Sequence, residues 1–319
     1  MTRHRLLVTG LQGFVGKVLA SRVRERADAT DITIVGLNNP DEPMIDIRNA
    51  DAVSAVVARV NPTALIHLAA IASPRDAANE PAEAWAVNVM GTFNLAHAIR
   101  SHAPDARFIF AGSSEAYGAA FASHPLPLRE DAPFEPTSVY GATKAAADLM
   151  LGQMAQEGLN AIRFRPFNHT GPGQAPAYVV SAFARQIVRI ERGWQEPLMT
   201  VGNLEAARDF MDVRDVVDAY LTAALQAQSP NPGAFNLATG SPVAIDTILH
   251  RLIDLSASTI TVEPDPALMR PSEVPVVSGN ATRAFEAFSW KPVIPLAQTL
   301  ADVLDHWREK AETAPETLR

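Results

Sequence analysis

Short apolar runs alternate with longer helical stretches through the first half of the chain. Arg5–Thr9, Ile32–Leu37, Ala64–Ala69 and Arg107–Ala111 are rich in β-formers, and the segments between them carry helical spacing. Strand and helix alternating at this length predict a parallel sheet covered by helices. Ala142–Gln156 extends the pattern as a helix with few breakers, and Ala161–Arg165 as a further strand. From Pro166 the pattern loosens. Glycine and proline gather in Pro166–Pro176 and around Ser229–Gly233, as in loops that close over a site. Ala234–Leu237 and Thr259–Glu263 read as strands with a helix near Ile245–Leu255 between them, and the proline-rich stretch Pro264–Pro275 follows. No fixed-period repeat is present.

The first strand runs into Gly10-Leu11-Gln12-Gly13-Phe14-Val15-Gly16, and a helix follows through Lys17–Val23. A glycine triplet between a strand and a helix suits a dinucleotide. Gly10 permits the tight turn, Gly13 lets backbone approach a pyrophosphate and Gly16 lets the helix pack on the sheet, while unpaired N–H groups at the helix start face the anion. At the end of the second strand, Leu37-Asn38-Asn39 carries no carboxylate for the adenosine ribose. A 2′-phosphate at Asn38 therefore meets no repulsion, which favours NADP(H) over NAD(H). Asp46-Ile47 is placed to line the adenine, with an Asp that caps the following helix as the alternative.

Composition narrows the partners. The 319 residues are 47% hydrophobic, enough for a buried core, and carry a net charge of −8. That balance disfavours nucleic acid and anionic membranes, so an anionic substrate must be met by a few local arginines. Cysteine is absent, which excludes disulfides, thiolate metal sites and a cysteine nucleophile. The histidines show no ligand spacing, so no metal is expected. His67, in an apolar strand, reads as packed and hydrogen-bonded, and His169 as a loop residue that meets substrate or backbone. The start MTRHRLLVTG has the character neither of a secretory signal nor of a membrane span, and the expected location is cytoplasmic. The sequons at Asn168 and Asn280 are then accidental.

Tyr140-Gly-Ala-Thr-Lys144 puts a phenol and an ammonium one helical turn apart on one face. The cation is expected to draw the phenol down from its ordinary value near ~10, toward neutral-pH proton transfer. An isolated pair of this kind is commonplace on exposed helices. Gly112-Ser113-Ser114-Glu115-Ala116-Tyr117-Gly118, directly after a strand, changes its weight. Ligands gather at such strand ends, and the Ser113 hydroxyl can share the oxygen that Tyr140 protonates.

These motifs together resemble the NAD-dependent epimerase/dehydratase family, the extended short-chain dehydrogenases/reductases that act on nucleotide sugars. The likeness runs over nearly the whole chain: the glycine loop, Asp46-Ile47, His67-Leu68-Ala69-Ala70, Asn88-Val-Met-Gly-Thr92, Ser113 with Tyr117, and Tyr140-x-x-x-Lys144. It implies a doubly wound parallel sheet of the Rossmann type with a smaller C-terminal substrate-binding lobe. Residues 1–166 and about 210–240 would form the first part, about 167–209 and 241–319 the second. It also implies that Leu68, Ala69 and Ala70 edge the cofactor, that Lys144 bonds the nicotinamide ribose, and that Asn88 serves the active site on its substrate side. A homodimer is implied through the helices Tyr140–Gln156 and Ala82–Arg100.

The second half is similar to the GDP-mannose 4,6-dehydratases and their sister group of GDP-4-keto-6-deoxy-hexose reductases. Arg165-Pro-Phe-Asn168-His-Thr-Gly-Pro-Gly-Gln174, Val201 to Asp215, and Arg270-Pro-Ser-Glu273 carry that likeness. By it, Asn168 and Val179 touch the substrate, Arg208 and Arg270 meet a diphosphate, and Glu273 bonds the nucleoside. Arginine suits the task because its rigid fork matches phosphate oxygens, and an interdomain salt bridge is the alternative for each. The resemblance implies reduction of a 4-keto sugar to a GDP-D-rhamnose type product, since Gly13-Phe14-Val15-Gly16 has the reductase form. Glu115 stands where dehydratases carry an acid, so a 4,6-dehydratase stays open. A 4-epimerase using His169 and a non-catalytic NADP-binding sensor are the remaining alternatives, the last weakened by the complete set Ser113, Tyr140 and Lys144.

Overall fold

The computed structural model describes residues 4–26, 28–37, 45–226, 232–269 and 274–318. In chain order the elements are β1 (His4–Thr9), α1 (Phe14–Glu25), β2 (Ile32–Gly36), α2 (Ala50–Val60), β3 (Ala64–His67), α3 (Pro74–Asn79), α4 (Pro81–Trp85), a π-helical stretch (Ala86–Gly91), α5 (Thr92–His102), β4 (Arg107–Ala111), α6 (Ala120–Ser123), α7 (Val139–Gln156) and β5 (Ala161–Pro166). Then come β6 (Asn168–Thr170), α8 (Val179–Glu191), β7 (Leu198–Val201), β8 (Ala207–Arg208), β9 (Phe210–Asp212), α9 (Val213–Leu225), β10 (Gly233–Leu237), β11 (Val243–Ala244), α10 (Ile245–Ile253), β12 (Thr261–Pro264), β13 (Val276–Val277), α11 (Thr282–Phe288) and α12 (Leu296–Thr313).

Six strands form one sheet in the order β10-β5-β4-β3-β1-β2, and every pairing is parallel. The expected strands are all present, each within two residues of its expected start and end. Alternation explains why their sequences read as continuous apolar runs, since a sheet covered on both faces buries both sets of side chains. Leu6, Val8, Ile66, Ile109 and Phe164 enter one apolar layer with Val216 and Tyr220 of α9. Their neighbours Leu7, Leu65, Phe108 and Phe110 enter the other, with α2, α5 and α7. A third core gathers Phe183, Ile187, Ile248, Leu252, Leu304 and Trp307 from α8, α10 and α12. Three small sheets, β11-β8-β13, β12-β7 and β6-β9, complete the C-terminal half.

Helix α7 is tied to β5 by charge. Asp148, 1% exposed, accepts from Arg163 at 2.7 Å and from Arg165 at 2.9 and 3.0 Å. Arg165 also donates to the Tyr117 hydroxyl and the Glu130 carbonyl, and Tyr117 passes its own proton to Asn236 of β10 at 2.7 Å. Tyr117 is thus a fully buried strut, its phenol pushed up to about 12 chiefly by burial. Among the described residues no helix is long and apolar enough to cross a membrane.

Candidate active site

The parallel register brings the carboxyl ends of β1, β3 and β4 to one sheet edge. β1 pairs with β2 on one side and β3 on the other, so strand order reverses there and the crevice opens between the segments that follow β1 and β3. Gly10 has φ of 72°, and a Cβ on it would lie 2.8 Å from the Ala69 nitrogen. A Cβ on Gly16 would lie 2.6 Å from the Leu11 Cα. Gly13 donates to the Gly10 carbonyl at 3.0 Å and caps α1 without a side chain, which leaves the helix start with backbone N–H groups for an anion. Phe14 and Val15 are half-buried here, and Leu68, Ala69 and Ala70 form the facing lip. A cradle that any side chain would fill fits a dinucleotide.

The capping alternative for Asp46 does not hold. Asn49, not Asp46, caps α2, accepting from Ala52 at 3.0 Å. The Asp46 carboxylate is gripped by Arg48 at 2.6 to 2.9 Å, and Arg48 also holds Glu83. This pairing holds the Asp46 carboxyl below the usual range. Ile47 is 7% exposed and its side chain packs under Gly91, so it belongs to the core. Asn38, Arg270 and Glu273 lie outside the described residues.

Ser113, Tyr140 and Lys144 converge. Ser113 follows β4, accepts from the Glu115 N–H at 3.1 Å and hydrogen-bonds the Tyr140 phenol. Lys144 is 4% exposed, donates to the Ala111 carbonyl at 2.7 Å, and lies 6.0 Å from the Tyr140 ring centroid. The phenol does not move downward as expected. Burial pushes it above its ordinary value, Glu115 and Tyr178 add to the rise, and the bond to Ser113 opposes it. Lys144 instead spends its charge on Ala111, and burial lowers it to about 8. Tyr140 is therefore a phenol that keeps its proton at neutral pH.

Glu115 opens toward solvent, yet the surrounding walls desolvate its carboxyl and raise it, against the pull of Arg208 and a hydrogen bond with Ser138. Ser138 caps α7 through the Gly141 N–H at 2.9 Å, so the start of the helix and Glu115 share one contact. Arg208 is half-buried on β8, and its guanidinium donates to the Ala207 carbonyl at 2.9 Å and, at 3.3 Å, to that of Pro275. Asn168 is exposed on β6 and Val179 opens α8. His169 bonds the Phe167 carbonyl at 3.0 Å, and burial lowers it. Asn88 lies beneath the site and braces it. At 1% exposure, its amide donates to Thr143 at 3.0 Å and Ile71 at 3.2 Å, and its oxygen accepts from Ile71 at 2.8 Å.

Sequence reasoning missed Ser138, Tyr178 and Asp209. Asp209 is fully buried and accepts from Thr239, Gly240 and Gly279, fixing the bend beside Arg208. The available signal was an acid next to a candidate arginine in an apolar context.

Residues 6–238 match the NAD dependent epimerase/dehydratase family. The chain belongs to this family. Among its members, the GDP-6-deoxy-D-mannose reductase of Pseudomonas aeruginosa is 33% identical over 96% of this chain and 98% of its own length. GDP-mannose 4,6 dehydratase 2 of Arabidopsis thaliana is 30% identical over 84% and 71%. The solved structure of RMD from Pseudomonas aeruginosa complexed with NADPH superposes with a TM-score of 0.85 at 32% identity, covering 96% of this chain and 99% of that one.

The clearance at Gly10 sets an expectation. Gly10→Ala should weaken NADPH binding by tenfold or more, roughly the effect of losing 1.4 kcal/mol, while circular dichroism stays unchanged. A fluorescence titration checks this, and unchanged affinity in a folded variant would detach the loop from the cofactor.

Proposed function

We propose that this chain is an NAD(P)H-dependent reductase of the 4-keto group of a GDP-4-keto-6-deoxy-hexose, giving a GDP-D-rhamnose type product. The carrying observation is a half-buried, desolvated phenol, Tyr140, that keeps its proton and is hydrogen-bonded to Ser113. The end-to-end likeness to a GDP-6-deoxy-D-mannose reductase supports the same choice, and the NADPH in its solved relative supports NADP(H) over NAD(H). NAD(P)H, when bound at the Gly10 cradle, supplies the hydride that the ketone carbon accepts. Tyr140 gives its proton to the ketone oxygen as negative charge develops there, and the Ser113 hydroxyl shares that charge. Lys144 supplies a fixed positive charge beneath the phenol. One hydride and one proton convert the ketone to an alcohol, so no further base is needed. Arg208, with Arg270, would meet the diphosphate, and Asn168, Val179 and Glu273 the rest of the substrate. In this scheme residues 1–166 and about 210–240 carry the cofactor, and about 167–209 and 241–319 carry the nucleotide sugar.

A 4,6-dehydratase is the second reading, favoured by the raised carboxyl of Glu115 at the same site. The two separate in one assay. Adding a GDP-4-keto-6-deoxy-hexose should consume NADPH in equal amount, Tyr140→Phe should lower kcat by about 10²–10⁴ with NADPH affinity retained, and Glu115→Gln should be mild. Conversion of GDP-mannose without net change in cofactor, abolished by Glu115→Gln, would reverse the choice.

The pH profile carries a sign. Lys144, lowered to about 8, is charged below that pH and neutral above it, whereas Tyr140 stays protonated throughout. Log kcat/KM for reduction should therefore fall above about pH 8 with a slope of one proton. A profile still flat well above that point counts against the role of Lys144.

A homodimer is part of the proposal. α4, the π-helical stretch and α5 pack beside α7, and this pair exposes Trp85, Met90, Phe93 and Leu149, with Leu149 62% exposed. Light scattering should report a dimer, and Met90→Glu with Leu149→Glu a monomer. A wild-type monomer at micromolar concentration would refute it.

A further inference from the structure

A buried line of polar groups runs from the lip of the dinucleotide cradle to the helix that bears Tyr140 and Lys144. The Leu68 and Ala69 N–H groups donate to Thr9 Oγ1, each at 3.1 Å. Thr9 Oγ1 lies 2.7 Å from His67 Nδ1, and His67 Nε2 lies 2.9 Å from Thr92 Oγ1. The Thr92 hydroxyl donates to the Asn88 carbonyl at 2.6 Å. Asn88 donates to Thr143 Oγ1 at 3.0 Å, and Thr143 donates to the Tyr140 carbonyl at 2.8 Å. Thr9, Thr92 and Thr143 are fully buried, and His67 is 1% exposed.

Donor counting orients this line. The Thr92 hydroxyl spends its one hydrogen on the Asn88 carbonyl, so toward His67 it can only accept, and Nε2 must carry a hydrogen. Thr9 Oγ1 already accepts two amides. An imidazolium would present it a third donor and leave the Thr9 hydrogen without an acceptor. His67 is therefore neutral with its hydrogen on Nε2, and Thr9 donates to Nδ1. Every bond then points the same way, from Ala69 toward Tyr140; the bonds polarise one another as far as the Asn88 main-chain carbonyl, and the Asn88 side chain carries the line on to Thr143 as a mechanical link. The surroundings agree. The rings of Phe108 and Phe110 flank His67 on β4, and Lys144 of α7 is the charged group that acts on it. Burial, with Lys144, brings His67 down to about 3.

We propose that His67 is a positioning residue that couples the dinucleotide seat at Ala69 to the Tyr140–Lys144 helix through Thr9, Thr92, Asn88 and Thr143. The proposal rests on the assignment of Tyr140 and Lys144 made above. Gly10 approaches Ala69 so closely that a Cβ would lie 2.8 Å from its nitrogen, so the amide that starts the line is also part of the cradle. Through the line, the position of the cradle lip and that of the first turn of α7 are set together. His67 touches neither reacting group.

Two measurements test this without turnover. In ¹⁵N-histidine spectra, with His67 assigned by its loss in His67→Phe or its shift in Thr92→Val, Nε2 should be protonated and Nδ1 bare from about pH 5 to pH 8. An imidazolium titrating near its ordinary value, or an Nδ1–H tautomer, overturns the proposal. In NADPH titrations, His67→Phe keeps the ring's bulk but breaks both bonds, and Thr92→Val breaks one junction should the first variant fail to fold. Each folded variant should bind NADPH roughly tenfold more weakly, the scale of one lost buried hydrogen bond, and Thr92→Ser should restore affinity. Unchanged NADPH affinity in the folded variants, with only the melting temperature lowered, makes the line merely structural and overturns the proposal. If the wild-type protein reduces no 4-keto sugar, the functional assignment fails while both measurements still decide the relay. If it does and they fail, the relay falls alone.

Discussion

Asp148 is buried in α7 between Arg163 and Arg165 of β5, and this cluster of charges decides where the first turns of α7 stand over the sheet. A carboxylate stripped of water is tolerable only when its oxygens are filled, and removing one partner of such a pair costs about 3–5 kcal/mol. Lys144 lies one turn before Asp148 and Tyr140 two turns before it, so the pair inherits its position from the ion pair. Arg165 extends the same hold to Tyr117 and the Glu130 carbonyl, which belong to the chain that leaves Ser113. Both halves of the site, the strand end that bears Ser113 and the helix that bears Tyr140, are thus fastened at one point.

The burial that makes this geometry rigid also selects protonation states. Tyr140 is pushed up, Lys144 comes down to about 8 and His67 to about 3. Desolvation opposes whichever form is charged, so an acid and two bases move in opposite directions from one cause. A phenol that keeps its proton and a nearby ammonium that is still charged at neutral pH can therefore coexist in such a pocket. Glu115, in a more open place, is pulled both ways by desolvation and by Arg208.

The parallel sheet was legible because doubly buried strands leave apolar runs, and the glycine loop because its spacing reflects clearance around an anion. The charge chemistry was less legible. An ammonium one turn from a phenol suggests a lowered phenol, but where the ammonium points is a tertiary fact, and here Ala111 takes it. The partners of Asp46 were hidden for a related reason, since Arg48 and Glu83 come together only in the fold. The two-residue strands β8, β11 and β13 carry no periodicity to detect. Thr9, Thr92 and Thr143 are single hydroxyls at or near element ends, and their common purpose emerges only when three elements meet.

The π-helical stretch Ala86–Gly91 sits between α4 and α5 within one continuous rod. Each residue of an α-helix turns the chain by about 100°, so a wide turn changes the phase of everything after it. Asn88 and Thr92 face inward on this rod, while Met90 and Phe93 face outward. A one-residue deletion that restored α-helical winding would rotate the inward and outward sets together, moving the polar seam and the apolar surface by the same angle. The inside and outside of this rod are therefore geared to each other, and neither can change phase alone.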